Sequence, residues 1–412
     1  MSTEQSRVAA ASLGGALEWF DQILYGVFAA NIAEEFFPVP DRNMALLIAF
    51  GTFGAAFFFR PLGGVVIGAY ADKAGRKPAL LLTMSLMLIG TATIAVTPPY
   101  SSIGMLAPVI VVFGRLLQGF SAGGEFGSAA AFLLEQTPKR RGFYSSWQFA
   151  SQGVAIWLAG GVGVIISTWL PHAQLSAWGW RIPFLIGLLI GPMALYIRRN
   201  VGETGEFMKA NAVASPLLAT IKAHSADLLQ GAGTVILATV AIYILLYLPT
   251  YSEHVLGLKP GDGFVATFLG GMVISVGTPI SGLLSDRFGP IIVSMVSALA
   301  MVTISIPLFT LLVLFPGIKG LWSVELLVAL FTAGYLGGLA SLLGDLFPVR
   351  NRAVGISLTY NVAVTVFGGL SPATMTWLTS KESLRAAPGY YLAFAALLSA
   401  GALGVALRRG HR

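Results

Sequence analysis

The chain has 412 residues, of which 56% are hydrophobic and 10% charged, where a typical soluble domain carries about 25% charged residues. That leaves too little polar surface for a water-exposed globule, and the absence of cysteine excludes a disulfide framework or a thiolate metal site. The net charge of +7 would suit a nucleic-acid groove on a soluble protein. Its distribution here follows membrane topology instead, so no nucleic-acid partner is expected.

At roughly 20 apolar residues per bilayer crossing, this length holds about twelve helices. Apolar runs broken by Gly, Pro and charge clusters predict spans 1 to 12 over residues 9–31, 44–70, 79–97, 103–134, 143–170, 178–199, 228–252, 263–284, 290–315, 322–343, 352–379 and 388–407. Span 1 contains Glu18 and Asp21, which a cleavable signal sequence would not tolerate, so it is read as a retained helix. The longest connection carries Glu203, Glu206, Lys209 and Lys222. It divides the chain into an N-terminal six-helix bundle (1–199), a cytoplasmic central loop (200–227) and a C-terminal six-helix bundle (228–412). With the N-terminus in the cytoplasm, 17 of the 25 Lys and Arg residues fall in inside segments and 5 outside. That bias predicts two cytoplasmic termini.

Two patterns recur between the halves. Gly68, Asp72, Lys73, Gly75, Arg76 and Lys77 between spans 2 and 3 are echoed 214 positions later by Gly282, Asp286, Arg287 and Gly289. Glu135, Pro138 and Arg140 at the end of span 4 are echoed 210 positions later by Asp345, Pro348 and Arg350. Two matches at nearly one offset indicate duplication of a six-helix unit. The expected fold is therefore an all-α membrane protein, with twelve transmembrane helices in two bundles related by pseudo-two-fold symmetry. The substrate site of such an architecture lies near the midplane between the halves.

The stretch Gly68–Lys77 resembles the loop 2–3 signature of the major facilitator superfamily, and Arg115, Gln118 and Gly119 resemble its helix 4 signature. Within the superfamily the chain is similar to the metabolite:proton symporters. This likeness rests on Leu17–Asp21, Arg60–Gly63, Gly114–Glu125, Gly142–Gln148, Gly179–Phe184 and Phe367–Pro372. Ser146–Gln152 looks most like the branch that moves citrate or tricarballylate. The resemblance implies proton-coupled uptake of a small carboxylate by alternating access, in a bacterial inner membrane. 2-Oxoglutarate, shikimate and proline or betaine are the alternative cargoes, and a passive uniporter or channel the alternative mechanism. Gly14 stands where the family has Asn, Gln22 where it has an aromatic residue, and Pro290-Ile291 where the repeated signature has a basic pair.

An ionisable group inside the bilayer is costly and is a functional candidate by default. At about 1.5 Å per residue, Arg60 lies some 18 Å from Asp72, with Asp21 at similar depth and Glu125 about 15 Å from Glu135. Arg115 is expected deeper again, toward the outer half. Glu18, Asp21, Gln22 and Tyr25 share one helical face, and Arg115, Gln118, Ala122 and Glu125 another. Beside the second runs a stripe of Gly119, Gly123 and Gly127, suited to close helix approach. Tyr144, Gln148 and Gln152 line span 5. The C-terminal half offers Tyr243, Tyr247, Tyr251, Tyr360 and Asn361, and no buried charge is expected there.

Arg60 is assigned to a substrate carboxylate, because its guanidinium fork matches that geometry and stays charged when buried. Gln148, Gln152, Tyr247 and Asn361 would add neutral hydrogen bonds. Glu18, Asp21 or Glu125, together with Arg115, would carry proton coupling, although an Arg115–Glu125 structural ion pair fits the same pattern. The formal sum of these five charges is −1, so protonating two acids would bring it to +1 and admit an anion. Gly68, Asp72, Gly75, Arg76, Glu135, Arg140, Asp286, Arg287, Asp345 and Arg350 are expected at a cytoplasmic gate. Arg181, beside Trp178 and Trp180, is read as an outer-interface anchor. No cofactor or metal is expected, the coupling ion being a proton with sodium as the alternative. The expected partners are the substrate and the lipid bilayer, around a monomeric functional unit. The four histidines fall at helix ends or in loops and no Walker-type glycine loop occurs, which argues against an enzyme or an ATP-driven pump.

Overall fold

The computed structural model describes residues 15–16, 19–74, 76–123, 126, 130, 133–134, 140–200, 221, 223–348 and 352–409. Glu18, Gly75, Glu125, Glu135 and Arg350 lie outside the described residues, as does most of the connection at 200–227. Of Gly68, Asp72 and Arg76 only the backbone is described.

Twelve principal helices run through the described residues, one for each predicted span. They are α1 (19–27, resuming after a turn at Phe28 as Ala29–Phe36), α2 (Arg42–Ala74), α3 (Arg76–Val96), α4 (Leu106–Ala122), α5 (Arg141–Trp169) and α6 (Arg181–Asn200). There follow α7 (Ser225–His254), α8 (Pro260–Phe288), α9 (Pro290–Leu314), α10 (Ile318–Asp345), α11 (Arg352–Ala363 continuing as Ser371–Thr379) and α12 (Ala387–Arg408). Eight of these, α2, α5 and α7 to α12, are long and apolar enough to cross a bilayer, and α3 and α4 carry shorter apolar stretches. No strand occurs among the described residues. The chain is thus a multi-pass membrane protein.

Local chemistry explains where the helices depart from the predicted spans. Span 4 was expected from residue 103, but Gly104 has φ of 58°. That left-handed residue ends a short helical turn (Tyr100–Ile103), so α4 starts at Leu106. Span 11 was expected to be continuous, yet a π-helical turn at Val364–Gly369 divides it.

Within the first six helices, α4 packs on α2 and α3, and α6 on α3. Within the last six, α10 packs on α8 and α9, and α12 on α7 and α9. The two sets meet along α5 against α8 and α10, and along α2 against α11. The glycine stripe on α4 serves the first set: Gly119 and Gly123 lie so close to the α2 backbone at Ala56 and Arg60 that neither leaves room for a Cβ. α7 is apolar nearly all round and buried along most of its length, so it lies inside the assembly. Trp169, Leu189, Leu229 and Val296 are exposed on the outer surface, as lipid-facing side chains should be.

Candidate functional site

α2 carries Phe53, Phe57 and Arg60 toward the seam between the two sets of helices. Arg60 is 3% exposed; its guanidinium donates to Gln22 Oε1 on α1 and lies 4.2 Å from the Phe57 ring centre and 5.7 Å from that of Trp19. Pro61 follows directly inside the helix and has no N–H to give to the carbonyl one turn back, at Phe57. Thr365 of α11 supplies that bond, its Oγ1 donating to Phe57 O at 3.0 Å. Thr365 lies in the π-helical turn, so the irregular part of α11 completes the irregular part of α2. Gly369 at the end of that turn lets the Phe57 ring press against the backbone.

Arg115 on α4 is 2% exposed and donates to Gln118 Oε1 at 2.6 Å. Its guanidinium lies 4.7 Å from the Tyr25 ring centre and 4.9 Å from that of Phe53. Gln118 Nε2 donates in turn to Thr91 Oγ1 at 2.9 Å, and the Thr91 hydroxyl contacts the Asp21 carboxyl. A chain of polar contacts therefore runs from Asp21 on α1 through Thr91 on α3 to Gln118 and Arg115 on α4. Its members are all buried.

The two arginines contact rings one helical turn apart on α2, Phe53 and Phe57, because long side chains reach along the helix axis from their own Cα positions. They share a third neighbour, Tyr243 of α7. Its ring packs against Phe53 and Phe57 at 5.7 and 5.4 Å between centres, and its hydroxyl lies beside Arg60, within electrostatic reach of both guanidiniums. Arg60 Nε, Arg115 Nε and Asp21 Oδ1 are buried with no hydrogen-bond partner among the described residues, while the Tyr25 hydroxyl meets Thr52 and the Tyr243 hydroxyl meets Arg60. Buried polar atoms are nearly always satisfied. Three such atoms around two arginines make this the candidate place for a polar ligand.

The remaining predicted ligands are distributed around this centre. Tyr247 lies one turn from Tyr243, with its hydroxyl 3.0 Å from Thr379 Oγ1 of α11 and its ring against Phe50. Gln152 donates to the Tyr360 hydroxyl across the seam at 3.4 Å, and Tyr360 stacks flat on Phe126 at 3.5 Å. Asn361 Nδ2 donates to Gly123 O at 3.1 Å, and its Oδ1 has no partner among the described residues. Gln148 is buried on α5, on the same face as Gln152. Gln22, predicted only as part of a stripe, is the direct partner of Arg60.

Ionic contacts cross the seam at both ends. At one end Asp286 Oδ1 accepts from Gly142 N at 2.6 Å and Oδ2 from Phe143 N at 3.0 Å, so that α8 caps the first turn of α5. Beside it Arg141 pairs with Asp345 at 2.8 Å. It is Arg141, in the first turn of α5, that reaches across, rather than its neighbour Arg140, which stands before the helix with φ of −136°. Arg287 is exposed and lies over the Phe288 ring. At the other end Arg42 bridges Glu34 at 3.1 Å and Glu253 at 2.8 Å, and His172 approaches Glu253 at 3.7 Å.

Arg181, expected as an outer-interface anchor, pairs with Glu35 at 3.2 Å, donates to Thr97 O, and covers a fully buried Trp180, tying α6 to α1 and α3. One expectation is corrected. The C-terminal half was expected to hold no buried charge-bearing group, yet Glu325 on α10 is 0% exposed. Its position three residues inside predicted span 10 was the signal available.

A family profile for the Major Facilitator Superfamily matches residues 11–359. A citrate–proton symporter of Klebsiella pneumoniae is 39% identical over 388 residues, covering 93% of this chain and 87% of that protein. A citrate–proton symporter of Salmonella typhi is 39% identical over 97% of this chain and 93% of its own length. A proline/betaine transporter of Escherichia coli K12 is 34% identical over 95% of this chain and 81% of its own. Among solved structures, the xylose transporter XylE from E. coli in a partially occluded inward-open conformation superimposes with a TM-score of 0.77. That match, at 18% identity, covers 99% of this chain and 98% of the other. With the profile spanning most of its length and relatives above 30% identity over nearly all of it, this chain belongs to the major facilitator superfamily.

Proposed function

We propose that this protein is a proton-coupled symporter that takes up a small multivalent carboxylate, citrate or a close relative, by alternating access between its two six-helix bundles. The observation that carries the proposal is the pair of buried guanidiniums, Arg60 and Arg115, each with an unpartnered Nε and both facing Tyr243. A guanidinium offers a carboxylate two parallel N–H donors, and two of them at neighbouring depths suit an anion with more than one carboxyl. The 39% identity to citrate–proton symporters, against 34% to a proline/betaine transporter, points the same way.

In this reading Asp21 carries the coupled proton, and Thr91 and Gln118 connect its charge state to Arg115. Protonated Asp21 leaves Arg115 free to hold substrate; ionised Asp21 competes for that positive charge. Glu18 and Glu125 are kept as further carriers, and sodium as the alternative coupling ion. Asp286, Arg141 and Asp345 would close the cytoplasmic end and Arg42, Glu253 and His172 the outer end, with both termini in the cytoplasm of a bacterial cell and the monomer as functional unit. The deciding experiment is labelled citrate uptake into proteoliposomes with and without an inward proton gradient, wild type beside Asp21→Asn. Gradient-stimulated uptake lost in the variant is the expected result. Uptake of betaine but not citrate, or citrate uptake driven by sodium alone, would overturn the assignment.

A further inference from the structure

The fork of Arg60 is half filled by the protein itself. A guanidinium binds a carboxylate side-on through Nε and Nη2, with one oxygen on each. Nη2 of Arg60 donates to Gln22 Oε1, whereas Nε has no acceptor among the described residues. The Tyr243 hydroxyl meets the same guanidinium, and the Phe57 and Trp19 rings lie over it. Gln22 is itself buried, so the amide is the nearest substitute for water at that nitrogen.

Gln22 differs from the second glutamine of the site in how it is held. Gln118, which accepts from Arg115, is anchored through Nε2 to the Thr91 hydroxyl. Gln22 makes no second side-chain hydrogen bond among the described residues, so it can swing aside by giving up the bond to Arg60 alone. The preceding Asp21 is directed elsewhere, because one residue along a helix turns a side chain through about 100°. Its carboxyl lies against Thr91 on α3 and Gly187 on α6, where a Cβ would strike Oδ1. α1 thus turns its acid away from Arg60 and its neutral amide toward it. A neutral acceptor satisfies part of a buried guanidinium without cancelling the charge that attracts an anion, as a carboxylate would. The family has an aromatic residue at this position, so the acceptor is this chain's own.

We propose that Gln22 is a specificity-determining placeholder: its amide oxygen holds one half of the Arg60 fork until a substrate carboxylate displaces it. A hydroxyl or amide of a neutral ligand would exchange one acceptor for another and gain nothing. A carboxylate gains the second hydrogen bond, at Nε, together with the ionic attraction. The inference rests on the transport reading above and adds how that site selects carboxylates. Only hydrogen bonds change in the exchange.

Calorimetric titration of the full chain in detergent with citrate tests it, with Gln22→Met and Gln22→Glu beside wild type. Methionine keeps the length and removes the acceptor, so citrate should bind roughly threefold to tenfold more tightly. Glutamate sets a two-oxygen rival on the fork, and binding should weaken about tenfold or more. In an Arg60→Ala background Gln22→Met should leave affinity unchanged, since no fork remains to be occupied. A glutamine that merely supports the helix packing would weaken binding in both single variants. Weaker binding in Gln22→Met, or no change in either, therefore overturns the proposal while a wild type that binds citrate keeps the transport reading. If wild type binds betaine and no carboxylate, the transport reading fails and the placeholder falls with it.

Discussion

The two walls of the central seam are built from different chemistry. On the α1–α6 side the described buried groups include charges held from several directions: Arg60 by Gln22 and two rings, Arg115 by Gln118 and two rings, Asp21 by Thr91. On the α7–α12 side the groups at the seam are neutral: Tyr243, Tyr247, Thr365, Tyr360 and Asn361. Beside the Arg60–Tyr243 contact, the middle is crossed by single, neutral hydrogen bonds, and among the described residues the salt bridges that cross lie at the two ends. Exchanging a neutral hydrogen bond for one to water costs about 1 kcal/mol, whereas stripping a buried charge of its partner costs several. A wall that holds fixed charge can keep a substrate anion while the neutral wall slides past it.

This contrast can be broken by experiment. The largest effect is expected from Arg60→Ala, which removes a charge-assisted fork worth roughly 1.5–3 kcal/mol and should lower citrate affinity about ten- to hundredfold. Binding calorimetry on the detergent-solubilised protein checks it, and Arg60→Lys should recover only part, since an ammonium lacks the fork. Near-normal affinity in Arg60→Ala would end the idea of a charged wall. Asp21→Asn should abolish the stimulation of uptake by external acid while leaving counterflow exchange intact; the sign is that wild-type uptake rises as external pH falls. On the neutral wall, Tyr243→Phe should cost about 1 kcal/mol, near fivefold in affinity, and Tyr247→Phe less, its hydroxyl being occupied by Thr379. Equal losses in both would show that the neutral wall grips substrate at two levels. The smallest effect is expected at the ends. Arg141→Ala removes a partly exposed pair worth about 0.2–1 kcal/mol, and should raise labelling of a cysteine introduced on the seam less than fivefold.

The twelve helices were legible in the sequence because length and apolarity are local properties. The stripe of Asp21, Gln22 and Tyr25 was legible for the same reason, as was the glycine face of α4, where Gly119 and Gly123 meet α2. What periodicity could not supply was the reach of a side chain away from its own helix. Tyr243 and Tyr247 share a face one turn apart, and only the opposing position of Phe53 and Phe57 decides which of them meets the arginines. Arg140 and Arg141 look equivalent in a basic run until the helix fixes their directions. Glu325 was passed over because three residues from a predicted span end reads as interfacial, whereas α10 begins four residues earlier, at Ile318, and draws it inside.

One contact has an evolutionary consequence. The donors that meet Asp286 are the main-chain amides of Gly142 and Phe143, present whatever side chain stands there, with proline the exception. Asp286 has no such latitude, because the acceptor is its carboxylate alone. Of the two surfaces in this contact, one is insulated from most substitutions and the other bears nearly all of the constraint.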